Sequence, residues 1–177
     1  KDPGGVYAGE YGGYLSHFDE ASGQTRMITV YPTSNSGRGA EELRHRFQWT
    51  APIATSPHDP TVLWMGGNRL FRLTERGERW EAVSPDLTTQ DPRRMVSGGS
   101  GAETHCTITT LSESPLERGR VWVGTDDGRL WVTPDGGASW EDLTRNLRGV
   151  PAGRYVSRVE ASHHDARTAY VAIDGHR

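Results

Sequence analysis

The sequence predicts an all-β fold: a partial β-propeller, with about three blades' worth of four-stranded antiparallel sheet. Three observations predict it: the composition, an internal repeat and a turn motif. Only 33% of the 177 residues are hydrophobic, and the chain contains 22 glycines and 10 prolines. This composition favours many turns between short strands over a large helical core.

The second observation is an internal repeat with a spacing of 58 to 60 residues, in which residues 46–89 align with residues 105–147. In each copy, four short runs of β-branched, aromatic and aliphatic residues are bounded by Gly, Pro, Asp or Asn. This pattern predicts the four strands, A to D, of one propeller blade. The aligned anchors are Ser56 and Ser114, Trp64 and Trp122, Asn68 and Asp127, Leu70 and Leu130, and Trp80 and Trp140.

Two incomplete blades flank these copies in the predicted chain order. Residues 5–37 hold the last three strands of a divergent first blade, and residues 155–177 hold the first two strands of the last blade. In the second full copy we expect strands at 107–111, 121–124, 129–133 and 139–143. Because a propeller protects its strand edges by closing its ring, this count predicts a fragment, or a chain that closes with another copy of itself or with a missing remainder.

The third observation is the turn motif of residues 133–140, which match the Asp-box pattern S/T-x-D-x-G-x-S/T-W. The Asp carboxylate can accept backbone N–H bonds within the hairpin, Gly allows a positive φ, and Trp packs between blades. Residues 75–80 form a degenerate second copy, in which Glu replaces Asp. The predicted structural residues of the two boxes are Thr133, Asp135, Gly137, Ser139 and Trp140, and Glu75, Gly77 and Trp80.

The repeat and the Asp box together resemble the bacterial BNR-repeat proteins related to the sortilin N-terminal propeller. The likeness covers nearly the whole chain, and the segment WVGTDDGRLWVTPDGGASWEDLT carries it best. More distantly, the chain is similar to xyloglucanase-type glycoside hydrolases and to photosystem II assembly factors. The resemblance implies an Asp-box propeller, usually extracytoplasmic (periplasmic or secreted), and it implies no single activity.

Charge and composition exclude several classes of partner and cofactor. With 20 basic and 23 acidic side chains the net charge is −3, so neither nucleic acid nor an anionic membrane is expected as a partner. No apolar run approaches about 18 residues, so no membrane insertion is expected. We predict no metal, because His58, His163 and His164 belong to equivalent turns of different blades. No cofactor is predicted, and the single cysteine, Cys106, is expected to be buried packing.

One rim of the predicted propeller carries the candidate ligand-binding residues. Loops between strands B and C share this rim with the linkers between blades, whereas A–B turns and Asp boxes share the other. Polar side chains on the first rim are Asn68, Arg69, Arg93, Arg94, His105, Asp126, Asp127, Arg154 and Asp174, with Glu103, Thr125 and His176 beside them. The long linker 91–103, with glycines at 98, 99 and 101, is a further candidate binding loop.

Catalysis by this rim would need paired carboxylates. Glycoside hydrolysis uses two carboxyl groups about 5–5.5 Å or about 6.5–9.5 Å apart, and Asp126, Asp127 and Asp174 are the eligible residues. An Asp-Asp-Gly segment between two apolar runs is first of all a tight turn, and the alignment of Asp127 with Asn68 supports that interpretation. No catalytic residue is therefore predicted.

Three functions remain open for the sequence. The leading one is a non-catalytic extracytoplasmic propeller that binds a protein, peptide or glycan ligand. The first alternative is a carbohydrate-active glycoside hydrolase of the Asp-box propeller type, and the second is an assembly factor for a membrane complex. Trp64, Trp122 and Trp131 are expected in the core between blades, which leaves few aromatic side chains for stacking on sugar rings.

Overall fold

The computed structural model describes residues 4–35, 37–96 and 104–175, which form four successive antiparallel sheets. The first sheet contains β1 (Gly5–Gly9), β2 (Leu15–Asp19) and β3 (Gln24–Met27), and the second contains β4 (Ile53–Thr55), β5 (Leu63–Gly66), β6 (Leu70–Thr74) and β7 (Arg79–Ala82). The third contains β8 (Ile108–Glu113), β9 (Val121–Thr125), β10 (Leu130–Thr133) and β11 (Glu141–Asp142), and the fourth contains β12 (Tyr155–Ala161) and β13 (Ala169–Asp174). In every sheet the strands lie side by side in chain order.

The fold class predicted from the sequence is confirmed. The described residues form an all-β fold of propeller type whose sheets do not close into a ring. The strands of the third sheet begin and end within two residues of their predicted bounds, and β11 is the shortest of them. It begins late because the backbone N–H of Ser139 donates to the Asp135 carboxylate and so belongs to the preceding turn.

Helical structure is confined to short segments between strands. Helix α1 (Pro92–Met95) lies in the linker after the second sheet, and the Asp91 carboxylate caps it by accepting a bond from the Arg93 N–H. Single 3₁₀ turns occupy Tyr11–Gly13, Ala40–Glu42, Glu75–Gly77 and Thr144–Asn146. Within the described ranges, no helix is long and apolar enough to cross a membrane.

Apolar side chains fill the three spaces between neighbouring sheets. Successive residues of a strand point to opposite faces, so Leu63 and Met65 pack toward the first sheet while Trp64 packs toward the third. Trp122 and Leu130 then pack against Val159 of the fourth sheet. This alternation explains why every residue of β5 and β9 is buried: both faces of these strands are covered by neighbouring sheets.

The turn between strands A and B has the same hydrogen bond in three sheets, which shows which strands of these sheets are equivalent. The hydroxyl oxygens of Ser56, Ser114 and Ser162 each accept a backbone N–H from two residues later, at 3.1–3.2 Å. The strands before these serines are therefore equivalent, and β4, β8 and β12 are the inner strands of their sheets. A register shift at the same relative position, Thr109 in β8 and Ser157 in β12, supports the equivalence.

Candidate ligand-binding rim

The rim predicted to bind ligands is formed by the B–C loops and the linkers between sheets, and we call it the B–C rim. Its B–C loops are residues 10–14, 67–69 and 126–129. The linkers reach these loops through backbone hydrogen bonds, such as Asn68 N–H to the Arg46 carbonyl and Asp126 N–H to the Thr107 carbonyl. The loops and linkers therefore form one continuous surface layer.

Asp126 is buried in this layer and holds the start of β8. Only 3% of its surface is exposed. One carboxylate oxygen accepts the Thr107 N–H at 3.0 Å, and the other accepts the Thr107 hydroxyl at 2.8 Å. His105 Nδ1 lies 3.6 Å from the same carboxylate. Burial raises the pKa of Asp126 to about 7, and the charge of Asp127 adds to the rise, while the bonds from Thr107 oppose it.

Asp127 ties the linker that leaves the second sheet to the B–C loop of the third. One of its carboxylate oxygens accepts both the N–H and the hydroxyl of Thr89, each at 2.7 Å. The other accepts the Thr125 hydroxyl at 2.5 Å. All four carboxylate oxygens of Asp126 and Asp127 thus accept hydrogen bonds from the protein, and both side chains act as connectors between chain segments.

Asn68 corresponds in the structure to Asp126, which corrects the sequence alignment with Asp127. The Asn68 side-chain oxygen accepts the Arg46 N–H at 3.0 Å, the bond that Asp126 makes with Thr107. The loop between β9 and β10 has four residues, whereas that between β5 and β6 has three. The extra residue follows the Asp126 position, so Asp127 has no counterpart in the second sheet.

A second network, which sequence reasoning missed, is centred on Arg46 and Asp86. The Arg46 guanidinium lies 2.7 Å from the Asp86 carboxylate and also donates to the Cys106 carbonyl at 3.2 Å. Asn68 donates to the same carboxylate at 2.8 Å. Burial alone would raise the pKa of Asp86, but the bonds from Asn68 and Thr88 and the Arg46 charge outweigh burial and lower it. Only tertiary contacts reveal this pair, because 40 residues separate its members in the sequence.

The other predicted rim residues occupy separate places. Arg69 donates to the Ser84 carbonyl at 3.0 Å, and Arg154 donates to the Gly175 carbonyl at 3.2 Å. The Arg93 side chain is 87% exposed and pairs with Asp91 at 2.8 Å. Asp174 ends β13 in the fourth sheet, opposite Tyr155. Glu103, residues 98–101 and His176 lie outside the described residues.

A cleft of about 360 Å³ lies between the linkers at the B–C rim, and two predicted candidates, Arg94 and Asp127, line it. Its other polar side chains include Thr89, Asp91, Arg129 and Thr144. The Arg94 guanidinium lies close to Gly153, where a Cβ would be 3.0 Å from one of its nitrogens. Guanidinium and hydroxyl groups can donate to a carboxylate, a peptide carbonyl or a sugar oxygen.

An exposed aromatic pair also lies on the B–C rim. Tyr11, in the β1–β2 loop, and Trp49, in the linker before β4, have ring centroids 5.0 Å apart. Their exposed fractions are 38% and 57%. Sequence reasoning missed the pair, because nothing in the local pattern separates Trp49 from the buried tryptophans. Exposed aromatic faces suit stacking on a sugar ring or packing against an apolar side chain.

The turn at residues 133–140 clamps the third sheet to the second. Asp135 accepts the Ser139 N–H at 2.8 Å, the Ser139 hydroxyl at 2.6 Å and the Thr133 hydroxyl at 2.9 Å. Trp140 donates its indole N–H to the Val83 carbonyl of the preceding sheet at 3.1 Å. A Cβ at Gly137 would lie 2.3 Å from that carbonyl oxygen. The close approach therefore requires glycine.

The corresponding turn at residues 74–80 makes the same contact by different means. Gly77 packs on Ile28, which directly follows β3 of the first sheet. A Cβ at Gly77 would lie 2.5 Å from a side-chain carbon of Ile28. An ion pair of Glu75 with Arg79 at 3.3 Å lies where Asp135 and Ser139 bond in the later turn. Trp80 packs edge-on against Phe71, with centroids 5.9 Å apart.

The histidines of the opposite rim do not converge. His58 Nε2 lies 2.8 Å from the Ser114 carbonyl oxygen, so this ring bridges two neighbouring A–B turns. In the part of the chain that the structure describes, no group of three or more His, Cys, Asp or Glu side chains could hold a metal ion. Cys106 is buried, and burial together with the Asp127 charge raises the pKa of its thiol to about 12.

Two solved structures share this fold. An auxiliary nutrient binding protein from Bacteroides thetaiotaomicron superimposes with a TM-score of 0.56 at 9% identity, covering 97% of this chain and 34% of its own. A GH74 enzyme from Niastella koreensis superimposes with a TM-score of 0.59 at 13% identity, covering 97% of this chain and 26% of its own. Both have propeller-type folds. This chain thus spans about a third and a quarter of their lengths.

Sequence comparisons add no family. The sequence matches no protein-family model, and no curated protein matches it either. At 9% and 13% identity, the similarity to these two structures shows only that the fold is shared.

Proposed function

We propose that this chain is part of a non-catalytic propeller that binds a protein, peptide or glycan ligand on the B–C rim. One observation carries the proposal. At this rim the carboxylates of Asp126 and Asp127 are bonded into the protein on all four oxygens, while Tyr11 and Trp49 stay exposed. The rim therefore offers a surface for stacking and hydrogen bonding, and its best-placed carboxyl pair serves the fold.

The resemblance to sortilin-related BNR propellers supports a binding role outside the cytoplasm. The turn at residues 133–140 has the hydrogen bonds that an Asp box needs, centred on Asp135. The nutrient binding protein with the same fold is one example of a propeller-type protein with a binding role. On this basis we place the chain among extracytoplasmic Asp-box propellers and assign Arg94, Tyr11 and Trp49 to the ligand surface.

Binding is tested with two probe panels, soluble neutral oligosaccharides and unstructured peptides, against the protein and its Trp49→Ala variant. Removing a stacking tryptophan from the centre of a binding surface costs at least about 2 kcal/mol, or about 30-fold in affinity. Tyr170→Ala is the matched control, since Tyr170 is 63% exposed on the fourth sheet and lies off the rim. Equal affinity of the two variants for a bound probe would remove Trp49 from the ligand surface.

A glycoside hydrolase is the second candidate, and one observation favours it. A carboxyl with a pKa of about 7 is protonated often enough near neutral pH to act as a general acid, and Asp126 has such a pKa. Hydrolysis of soluble β-glucans that disappears in Asp126→Asn, with folding intact, would support this candidate. No contact in the described part of the chain favours the third candidate, an assembly factor for a membrane complex.

A further inference from the structure

The cleft at the B–C rim that Arg94 lines is formed by three segments of the chain, and we call it the Arg94 cleft. Its volume of about 360 Å³ lies in the range of small-molecule sites, roughly 300–1,000 Å³. The linker after β7 supplies Thr89, Asp91 and Arg94, the β9–β10 loop supplies residues 127–129, and the segment between β11 and β12 supplies Thr144 and residues 152–153.

The two carboxylates of the Arg94 cleft already have hydrogen-bond donors from the protein. One Asp127 oxygen accepts two bonds from Thr89, and the other accepts the Thr125 hydroxyl. The two Asp91 oxygens accept from the Arg93 side chain at 3.0 and 2.8 Å, and one of them also accepts the Arg93 N–H. All four oxygens therefore have donors before a ligand arrives.

The two guanidinium groups of the cleft have more donors than these acids use. Among the residues that the structure describes, the Arg94 side chain makes one ionic contact, at 4.0 Å to Asp91, which is too long for a hydrogen bond. Arg129 donates to the Asp142 carboxylate at 3.3 Å. Because a guanidinium has five N–H donors and no acceptor, the cleft suits a ligand group that only accepts hydrogen bonds.

The charges of the cleft favour a carboxylate over a phosphate as that group. Asp91 and Asp127 also line the cleft, so a phosphate monoester with two negative charges would be repelled more strongly than a group with one. A carboxylate has a single charge and matches the planar fork of a guanidinium, to which it can make two parallel hydrogen bonds. The cleft therefore fits one carboxylate.

The walls of the cleft favour a sugar over a peptide as the carrier of the carboxylate. Among the described residues that line it, Ala152 has the only apolar side chain, whereas peptide ligands usually gain affinity from buried aromatic or aliphatic anchors. The Thr144 hydroxyl accepts the Leu130 N–H and can donate its own proton, and the Thr89 hydroxyl donates to Asp127 and can accept. Such groups can bond to sugar hydroxyls.

We propose that the Arg94 cleft binds the carboxylate of a uronic acid residue in a glycan. Arg94 makes the main contact with the carboxylate, and Arg129 contributes further donors from the opposite segment. This inference rests on the ligand-binding function proposed above and narrows its ligand to an acidic glycan.

The probes are short oligomers of galacturonate and of mannuronate, each with its methyl ester as the matched neutral form. Esterification removes the negative charge and leaves the sugar chain unchanged. By calorimetry we expect saturable binding of at least one of the two acids to the whole chain. The corresponding ester should bind about tenfold more weakly or worse, because a hydrogen-bonded charge pair is lost.

Arg94→Gln is the informative variant, and Arg145→Gln is its matched control. Arg94→Gln should bind the acid and its ester with similar affinity, because the group that distinguishes them is gone. Arg145 is exposed in the same 3₁₀ turn as Thr144 and is not one of the described residues that line the cleft. Its variant removes the same charge from the rim and should keep the preference for the acid.

Arg94→Lys keeps the positive charge at the cleft and loses the planar fork. Its preference for the acid should lie between those of the unchanged protein and Arg94→Gln. Equal melting temperatures show that the three variants are folded, so a changed preference reports on the contact with the ligand.

Three results would overturn the proposal while leaving the binding rim in place. The first is a preference for the acid that survives Arg94→Gln, and the second is its loss in Arg145→Gln as well, which would assign it to the net charge of the rim. The third is binding of polyglutamate that is as tight and as sensitive to Arg94→Gln, which would assign the cleft to an acidic peptide.

Failure of this proposal can be distinguished from failure of the binding function. If neither acid binds at ~1 mM but a neutral oligosaccharide or a peptide binds in a way that depends on Trp49, the uronate site is wrong and the binding function stands. If no probe binds, both are overturned.

Discussion

Two adjacent glycines in the turn at residues 133–140 are required for different reasons. Gly136 is favoured by its backbone conformation alone, whereas Gly137 also has no room for a side chain. Gly136 has φ +71° and room for a side chain, since the nearest atom to a Cβ would be 3.6 Å away. Gly136→Ala should therefore lower the free energy of unfolding by only about 1 kcal/mol, the cost of holding alanine in the left-handed conformation. Gly137→Ala should cost several times more, because its Cβ would overlap the Val83 carbonyl. Urea unfolding compares the two, and equal losses would contradict the clamp.

Arg76 shows the opposite situation at the corresponding position of the earlier turn. Its φ is +56°, in the region that non-glycine residues avoid, where the later turn has Gly136. Arg76→Gly is expected to stabilise the protein by about 0.5–1 kcal/mol, because it relieves the left-handed strain. Thermal melting measures the gain. Arg79→Gly, within β7, serves as the control and should destabilise by a similar amount.

For single residues, the sequence predicted the kind of structure a residue belongs to better than it predicted which residues contact each other. It identified Asp126 and Asp127 as turn residues, and the structure places both in a turn. It aligned Asn68 with the wrong aspartate, because a one-residue difference in loop length cannot be located within Asp-Asp-Gly. It missed Arg46 and Asp86 because a buried ion pair between distant residues leaves no local pattern.

Among the elements, two linkers are joined by a buried ion pair between Arg46 and Asp86. The Arg46 and Asp86 side chains are 7% and 11% exposed, and removing one partner of a buried pair leaves an uncompensated charge. Arg46→Met should lower the free energy of unfolding by about 3 kcal/mol. Adding Asp86→Asn should restore part of that loss, since the remaining carboxylate is then neutralised. Denaturant unfolding of the two variants measures the coupling, and additive losses would contradict it.

The strands of the third sheet were predictable to within about two residues, because alternating apolar residues and flanking turn residues mark them directly. The inner strand of the second sheet was harder to locate. The aligned copy begins at residue 46, whereas β4 begins at Ile53, since residues 46–50 belong to the linker. Trp49 is exposed for the same reason. Helix α1 was not foreseen, because a four-residue segment has no periodicity to detect.

At the scale of the whole molecule, most carboxyl groups with a shifted pKa should make the stability of the fold depend on pH in the acid range. Hydrogen bonds to hydroxyl, backbone or arginine groups lower the pKa of Asp19, Asp59, Asp86, Asp91, Glu117, Asp135 and Asp165. Their contribution to stability is complete above about pH 4 and is lost as the pH falls through the folded-state values. The melting temperature should therefore fall between about pH 4 and pH 2. An unchanged value over that range would show these bonds to be unimportant for stability.

The overall architecture was the most predictable level, because a repeat specifies the same supersecondary unit several times over. The proposed ligand surface was the least predictable, because Tyr11, Trp49 and Arg94 come from three different linkers or loops.

The most direct test of a structural role for Asp126 compares two proteins, the original sequence and its Asp126→Asn variant. The free energy of unfolding of each is measured as a function of pH. The raised pKa means that ionising Asp126 opposes folding, so its share of stability is present below about pH 4 and lost as the pH rises through 7. Asparagine, which the second sheet has at this position as Asn68, avoids that loss.

We expect the variant to gain about 2–4 kcal/mol relative to the unchanged protein between pH 4 and pH 8. A variant that is less stable at every pH, or one that keeps its stability but loses a polysaccharide-hydrolysing activity, would contradict the structural role and the binding function built on it.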